Sequence, residues 1–316
     1  MTSNRVSVRE VGLRDGLQMV KDNLATDRKL EWLADAAAAG VREIEVTSFV
    51  PPKTFPIFAD AAQVARAAID TPGLVPSALV LNVRGAKDAI DSGLTHINYV
   101  LSASEAHSTA NARRSVSAAV EEFVRIVALR DTTVAAGTVS LSCGIAMAFG
   151  CSFQGAVDEE RVLELAIELS AAGASEIMLA DTVGYATPGQ VERLFDALLQ
   201  RLPSTQVAAH FHDTRGLGLA NVMAALRAGL RRFDASLGGL GGCPYALAAT
   251  GNVNFEDTVF LLEAEGFETG IDLGRMIALR RKVESWLPGE AFSGAIARAG
   301  FPKSSIFHRQ SHSGWK

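Results

Sequence analysis

Two histidines stand two residues apart in HFHDTRGLGLAN (residues 210–221), in a chain that has six histidines in all. On an extended segment, alternate side chains share a face, so His210 and His212 point one way and Phe211 the other, toward the helices. Such a pair can fill two adjacent coordination positions of a metal ion. It can equally be two buried, hydrogen-bonded core imidazoles. A second reactive cluster lies in EVGLRDGLQ (10–18), where Arg14 and Asp15 are followed by Gly16. A guanidinium can neutralise a developing oxyanion, and a carboxylate can ligate a cation. An adjacent Arg–Asp pair can also be a surface salt bridge. EIEVTSF (43–49) places Glu43 and Glu45 on one face, and MLADTVG (178–184) ends its apolar run on Asp181. The segment GGLGGCPYALAATGN (238–252) sets Cys243 among glycines. That composition reads as a mobile lid carrying a thiol over a ligand, or as a phosphate-cradling turn with an incidental cysteine. Asn252 can cap the helix that begins near Phe255 or complete a ligand set.

These residues need elements to position them. Eight β-rich runs recur along the chain, at 5–12, 41–49, 74–81, 95–102, 132–142, 175–181, 205–213 and 231–239, with helical stretches between them. AAAAGVREIEV, AAGASEIMLAD and RAGLRRFDAS each run from helix end through glycine into strand. Asp158 is expected to cap the helix 158–174, and Thr187 with Pro188 to open the helix 187–202. Eight strands alternating with helices predict a parallel (β/α)8 TIM barrel over residues 1–270. An open doubly wound sheet is the alternative, but no GxGxxG follows the first strand. Residues 271–316 read as an appended amphipathic helix, LGRMIALRRKVESWL, and a polar, breaker-rich tail within a single domain overall. In such a barrel the chemistry gathers at the C-terminal ends of strands. Arg14, Glu45, Asp181 and His210 all fall near such ends.

Bulk properties exclude several classes. The chain has 316 residues, 48% hydrophobic and 21% charged, with a formal net charge of −5 and a pI near 5.7. No basic stripe is available to neutralise nucleic-acid phosphates. No uncharged apolar run approaches the roughly 20 residues of a membrane span. The polar start MTSNRVSVREVG leaves no room for a signal peptide. Three cysteines, Cys143, Cys151 and Cys243, show no CxxC spacing. They point to a reducing, cytoplasmic setting.

Together EVGLRDGLQ, IEVTSFVPPK, LADTVGYATPG, HFHDTRGLGLAN and GGLGGCPYALAATGNVNFEDTV resemble the 3-hydroxy-3-methylglutaryl-CoA lyase family. That family sits among the metal-dependent aldolase-type barrels that include isopropylmalate synthase. The likeness runs over about residues 5–270. It implies Asp15, His210, His212 and Asn252 as ligands of a divalent metal, Mg²⁺ or Mn²⁺. It implies that Arg14 stabilises an enolate oxygen, that Glu45 and Asp181 are acidic active-site residues, and that Cys243 is the catalytic thiol. His210 is the preferred base. The implied reaction is retro-Claisen cleavage of an acyl-CoA thioester, 3-hydroxy-3-methylglutaryl-CoA to acetyl-CoA and acetoacetate, by a homo-oligomer (dimer or tetramer). Citramalyl-CoA, a longer 3-hydroxy-3-alkylglutaryl-CoA and the condensing direction are alternatives. A thioester-binding relic is a further one, opposed by the retained Arg14, His210 and Cys243. Where the family often has GCPYEG this chain has GCSFQG (150–155), and Leu13 and Leu247 stand at positions usually proline and polar. Those departures bear on the acyl group more than on the reaction.

Overall fold

A computed structural model describes residues 4–242 and 251–303. Its centre is a closed barrel of parallel strands: β1 (Ser7–Glu10), β2 (Glu43–Phe49), β3 (Val75–Val80), β4 (His96–Ser102), β5 (Ser140–Ala146), β6 (Glu176–Asp181), β7 (Gln206–Phe211) and β8 (Arg232–Ala235). Each strand pairs with the next, and β8 closes on β1 with Arg9 opposite Asp234. Around it lie α1 (Thr26–Ala38), α2 (Ala61–Ile69), α3 (Val83–Asp91), α4 (Glu105–Ala112), α5 (Val116–Thr133), α6 (Glu159–Ala171), α7 (Pro188–Arg201), α8 (Gly218–Arg227) and α9 (Phe255–Ala264). This is a (β/α)8 TIM barrel.

Parallel strands are covered on both faces and usually read as unbroken apolar runs. Here they alternate. The outward residues Ile97, Leu141, Ile177, Leu179 and Phe211 are buried against helices, and Phe211 meets Phe149 and, edge-on, Phe195 of α7. The inward residues of the lower and middle barrel are polar: Arg9, Glu45, Ser77, Asn98, Glu176 and Asp234 are all buried. The three helix-to-strand turns expected from sequence close on Gly40, Gly173 and Gly229 at φ of 92°, 114° and 101°. In that left-handed region a Cβ is strained, which explains the repeated glycine.

The fifth strand begins later than its sequence suggests. Residues 132 and 133 end α5, where the Thr132 hydroxyl bonds back to the carbonyls of Ala128 and Leu129. The strand starts at Ser140 and runs on through Gly144 to Ala146. β-branched residues at a helix end were the misleading signal. The eighth strand is also shorter than 231–239: Leu237–Gly239 form a 3-10 turn. Beyond the barrel, α10 (Leu273–Trp286) and the short α11 (Ile296–Ala299) follow. α10 buries Leu273, Met276, Ile277 and Val283, and its Lys282 reaches Glu31 and Asp35 of α1. Asp158 caps α6 as expected, accepting from the Glu160 amide. Thr187 holds the N-cap position of α7 without a side-chain cap bond.

Candidate active site

The site assembles from three stretches at the C-terminal mouth of the barrel. After β1 the chain makes a tight π-helical turn, Gly12–Gly16, which carries Arg14 and Asp15. Gly16 contributes by close approach: a Cβ there would lie 3.0 Å from Ser236 Oγ. Strand β7 delivers His210, with His212 just beyond it. The backbone of His212 bridges to Asn252, which brings in the third stretch.

The polar groups converge. His210 Nε2 and His212 Nε2 lie 3.2 Å apart, and each lies 3.9 Å from Asp15 Oδ2. One ligand atom from each of these three residues falls within 4.8 Å of the others. Asn252 Nδ2 donates to Asp15 Oδ2 at 2.6 Å and to the Leu240 carbonyl. Its Oδ1 is buried with no hydrogen-bond partner among the described residues. Such orphaned acceptors beside a carboxylate and two facing imidazole nitrogens are the donor set that a divalent cation satisfies. The residues present therefore fit the metal that the motifs imply.

Electrostatics favour the ligating forms of Asp15 and His212, and the charged form of metal-free His210. Burial raises the Asp15 pKa, but the Arg14 guanidinium and both imidazoles outweigh it and hold the carboxyl well below its usual range. Burial and neighbouring His210 push His212 down to about 4, leaving that ring neutral at pH 7. Burial also works against a charged His210, but Asp234 and Asp15 raise its pKa above the ordinary value.

Arg14 is held from behind. Its Nη1 bonds Asp15 Oδ1 at 2.6 Å and its Nε bonds Glu45. Glu45 Oε1 in turn accepts from Asn98 at 2.7 Å. Glu45 thus reaches the cavity through Arg14. Asp181 is not brought into the cluster. It lies in register with the outward Phe211, and its carboxylate accepts from the amides of Tyr185 (2.7 Å) and Ala186 (3.1 Å). Burial pushes it up to about 6 despite those bonds. Cys243 lies outside the described residues. Asn252 does not cap α9; Asn254 does, through the Asp257 amide. The glycines leading to Cys243 are not a loose loop throughout. Gly238 and Gly239 are buried at φ of 61° and 66°, with Phe292 and Ser293 packed where a Cβ would stand.

Arg14, Asp15, His210 and His212 form one wall of a cavity of about 510 Å³, with Leu79, Tyr99, Leu101 and Met178 among the others. Of the cations that follow strands β1 to β4, Arg14 and Arg114 line it, and Lys21, Lys53 and Arg84 do not. Two contributors escaped the sequence reading. Asp234 on β8 contacts His210, and Glu10 on β1 accepts from the amides of Gly12 and Leu237. Alternation in RFDAS is the available signal for Asp234; the same alternation in VREVG turns Glu10 outward, opposite to Arg9, and gives no signal for it.

Fold and site together define a TIM-barrel enzyme with a polar, carboxylate-and-imidazole centre at the strand ends. Residues 5–283 match the HMGL-like family model. Hydroxymethylglutaryl-CoA lyase of Bacillus subtilis is 39% identical over 280 residues, covering 89% of this chain and 92% of the relative. (R)-Citramalyl-CoA lyase of Chloroflexus aurantiacus is 38% identical over 305 residues, covering 93% and 95%. Among solved structures, an HMG-CoA lyase from Acinetobacter baumannii in complex with coenzyme A and 3-methylmalate aligns at a TM-score of 0.89 and 37% identity, covering 96% of this chain and 97% of that one. The chain belongs to the HMGL-like family, and it is a carbon–carbon lyase.

Proposed function

We propose that the protein is a divalent-metal-dependent acyl-CoA lyase that cleaves 3-hydroxy-3-methylglutaryl-CoA to acetyl-CoA and acetoacetate. The observation that carries this reading is the meeting of Asp15, His210 and His212 beside Arg14 on one cavity wall. Asp15, His210, His212 and Asn252 would hold Mg²⁺ or Mn²⁺. The ion, when bound, supplies Lewis-acid polarisation of the substrate's hydroxyl and carboxylate oxygens.

The residues divide the remaining work. The proton of the tertiary alcohol passes to Asp15, whose carboxylate keeps free lone pairs when it ligates; the one cavity-facing lone pair of His210, the base expected from the motifs, is on Nε2, 3.9 Å from Asp15 Oδ2, and would be used in holding the ion. The bond between C2 and C3 then breaks: its electron pair becomes the thioester enolate, and C3 becomes the ketone of acetoacetate. Arg14 holds the enolate oxygen, its fork fixed by Glu45 and Asp15. A proton delivered to the enolate carbon by Cys243, or by a water beside it, completes the acetyl methyl group. Asp181 acts from its turn by ordering residues 183–186 beside the strand end.

A citramalyl thioester is the second reading. The identity to the citramalyl-CoA lyase, 38%, nearly equals that to the hydroxymethylglutaryl-CoA lyase, 39%. The two readings share the machinery and differ in the acyl group. No helix among the described residues is long and apolar enough to cross a membrane.

Incubating metal-stripped protein with Mg²⁺ or Mn²⁺ and each thioester, with products identified by mass, tests the proposal. Acetyl-CoA and acetoacetate from hydroxymethylglutaryl-CoA, lost on chelation and restored by metal, are expected. Full turnover without metal, or cleavage of the citramalyl thioester alone, would overturn it.

A further inference from the structure

We propose that Asp234 is a positioning residue, presenting the unprotonated Nε2 of His210 to the cavity. The inference rests on the metal-site reading above. It starts from a difference between the two histidines on their far sides. His210 Nδ1 lies 3.3 Å from Asp234 Oδ2, whereas His212 Nδ1 is buried with no hydrogen-bond partner among the described residues. The two rings share an environment on the cavity side and are unlike behind it.

The barrel's register makes this contact. His210 and Asp234 are opposed across β7 and β8, and both are buried. Asp234 is in turn held from β1 and β6. Its Oδ1 is 3.0 Å from Arg9 Nε, Arg9 pairs with Glu176 at 2.5 Å, and Glu176 pairs with Arg232 at 2.7 Å. The carboxylate is therefore fixed by an ion-pair chain spanning the barrel interior. A neutral imidazole carries one ring proton, and an ionised carboxylate can only accept. Nδ1 is then the donor, the lone pair is left on Nε2, and the ring plane is set by the Asp234 bond. A ligating or proton-accepting nitrogen needs that lone pair aimed into the site, which is why an outer carboxylate on a metal-bound histidine matters. His212, without one, depends on the cation and on packing for its orientation.

Equilibrium Mn²⁺ binding to the full-length protein, with no substrate present, tests the assignment on wild type, Asp234→Asn, His210→Ala and the double variant, free Mn²⁺ being read by electron paramagnetic resonance. Asp234→Asn keeps the volume but lets an amide N–H face the ring. It is expected to weaken Mn²⁺ binding by about 10–100-fold, and to add little once His210 is already alanine, because the effect travels through that ring. In parallel, ¹⁵N NMR of metal-free wild type, followed upward in pH until the ring is neutral, is expected to show His210 as the Nδ1–H tautomer, with Asp234→Asn shifting it. Equal Mn²⁺ affinity in wild type and Asp234→Asn overturns the proposal while leaving the metal site standing. The same loss with and without His210 also overturns it, since a general structural defect would behave that way. An Nε2–H tautomer in wild type overturns it even if the variant fails to fold. Wild type that takes up no Mn²⁺ overturns the metal reading and this proposal with it.

Discussion

The barrel of this protein carries buried charge at two levels, and the levels are built on opposite rules. In the lower and middle interior, the half-buried Glu43 and Arg232 and the buried Glu176, Arg9 and Asp234 alternate in sign, each touching an opposite charge. At the mouth, Asp15 is shared among Arg14, His210, His212 and Asn252, with the two histidine Nε2 atoms turned toward each other. Burying a charge is tolerable when it is paired and costly when it is not. The lower network satisfies that demand internally, so it supports the fold. The mouth leaves acceptors open, so it requires a ligand. Buried polar residues in one barrel can thus be sorted by asking which charges pair in a chain within the barrel and which acceptors converge on the cavity, with Asp234 joining the two.

Four experiments would break or sharpen that contrast. The largest effect is expected at the mouth. Arg14→Lys keeps the charge beside Glu45 and Asp15 but loses the fork, so kcat should fall by about 10²–10³-fold. Its unfolding midpoint should stay near that of wild type. A steady-state assay beside a thermal melt separates the two, and a collapsed midpoint would place Arg14 with the scaffold instead.

The reverse is expected below. Glu176→Gln removes the carboxylate between Arg9 and Arg232 and should lower stability by on the order of 3 kcal/mol. The turnover of the protein that remains folded should stay within a few-fold. Urea unfolding measures the first and active-site-normalised kinetics the second. A large kcat loss at unchanged stability would erase the distinction between the levels.

Glu10 belongs to neither level: it faces outward from β1, beside Gly12 and Trp32. Burial, with Glu256 nearby, pushes its carboxyl up to about 7, against the bonds it accepts from the amides of Gly12 and Leu237. A folded-state pKa above the ordinary carboxylate value means the folded protein holds the extra proton. Stability should then decline as pH rises from about 4.5 through about 7, and the loss is complete above that. Glu10→Gln keeps an acceptor oxygen and cannot titrate, so its stability should change less across that window. Calorimetric midpoints at the two ends of the window decide it: identical slopes for variant and wild type would remove Glu10 as the cause. The smallest effect belongs to the helical shell. Asp158→Ala deletes the α6 cap and should cost about 1 kcal/mol with kcat unchanged.

How much of this was legible beforehand varies by residue. The shared face of His210 and His212 follows from strand periodicity, and the Gly40, Gly173 and Gly229 turns from the backbone that each needs. The start of β5 is not legible in the sequence, because Thr132 and Thr133 favour strands yet finish a helix whose packing outweighs their propensity. Asp181 carries the same residue type and strand-end position as the site residues, but its register turns it away from the cavity. Asp234 looked like any strand aspartate until the closure of β8 against β7 placed it beside His210.

By itself the sequence determined the alternation that builds eight strands and their helices, the chemical types available at the strand ends, and the motifs of the family. Those are local properties: a side chain's period along its own element and the chemistry of its functional group. Tertiary structure alone decided which of those groups meet. Asn252 reaches Asp15 across 237 positions of chain, Glu45 backs Arg14 instead of entering the cavity, and one histidine gains a carboxylate that the other lacks. Contacts of that kind depend on the stagger between neighbouring strands and on barrel closure, and no single segment encodes either.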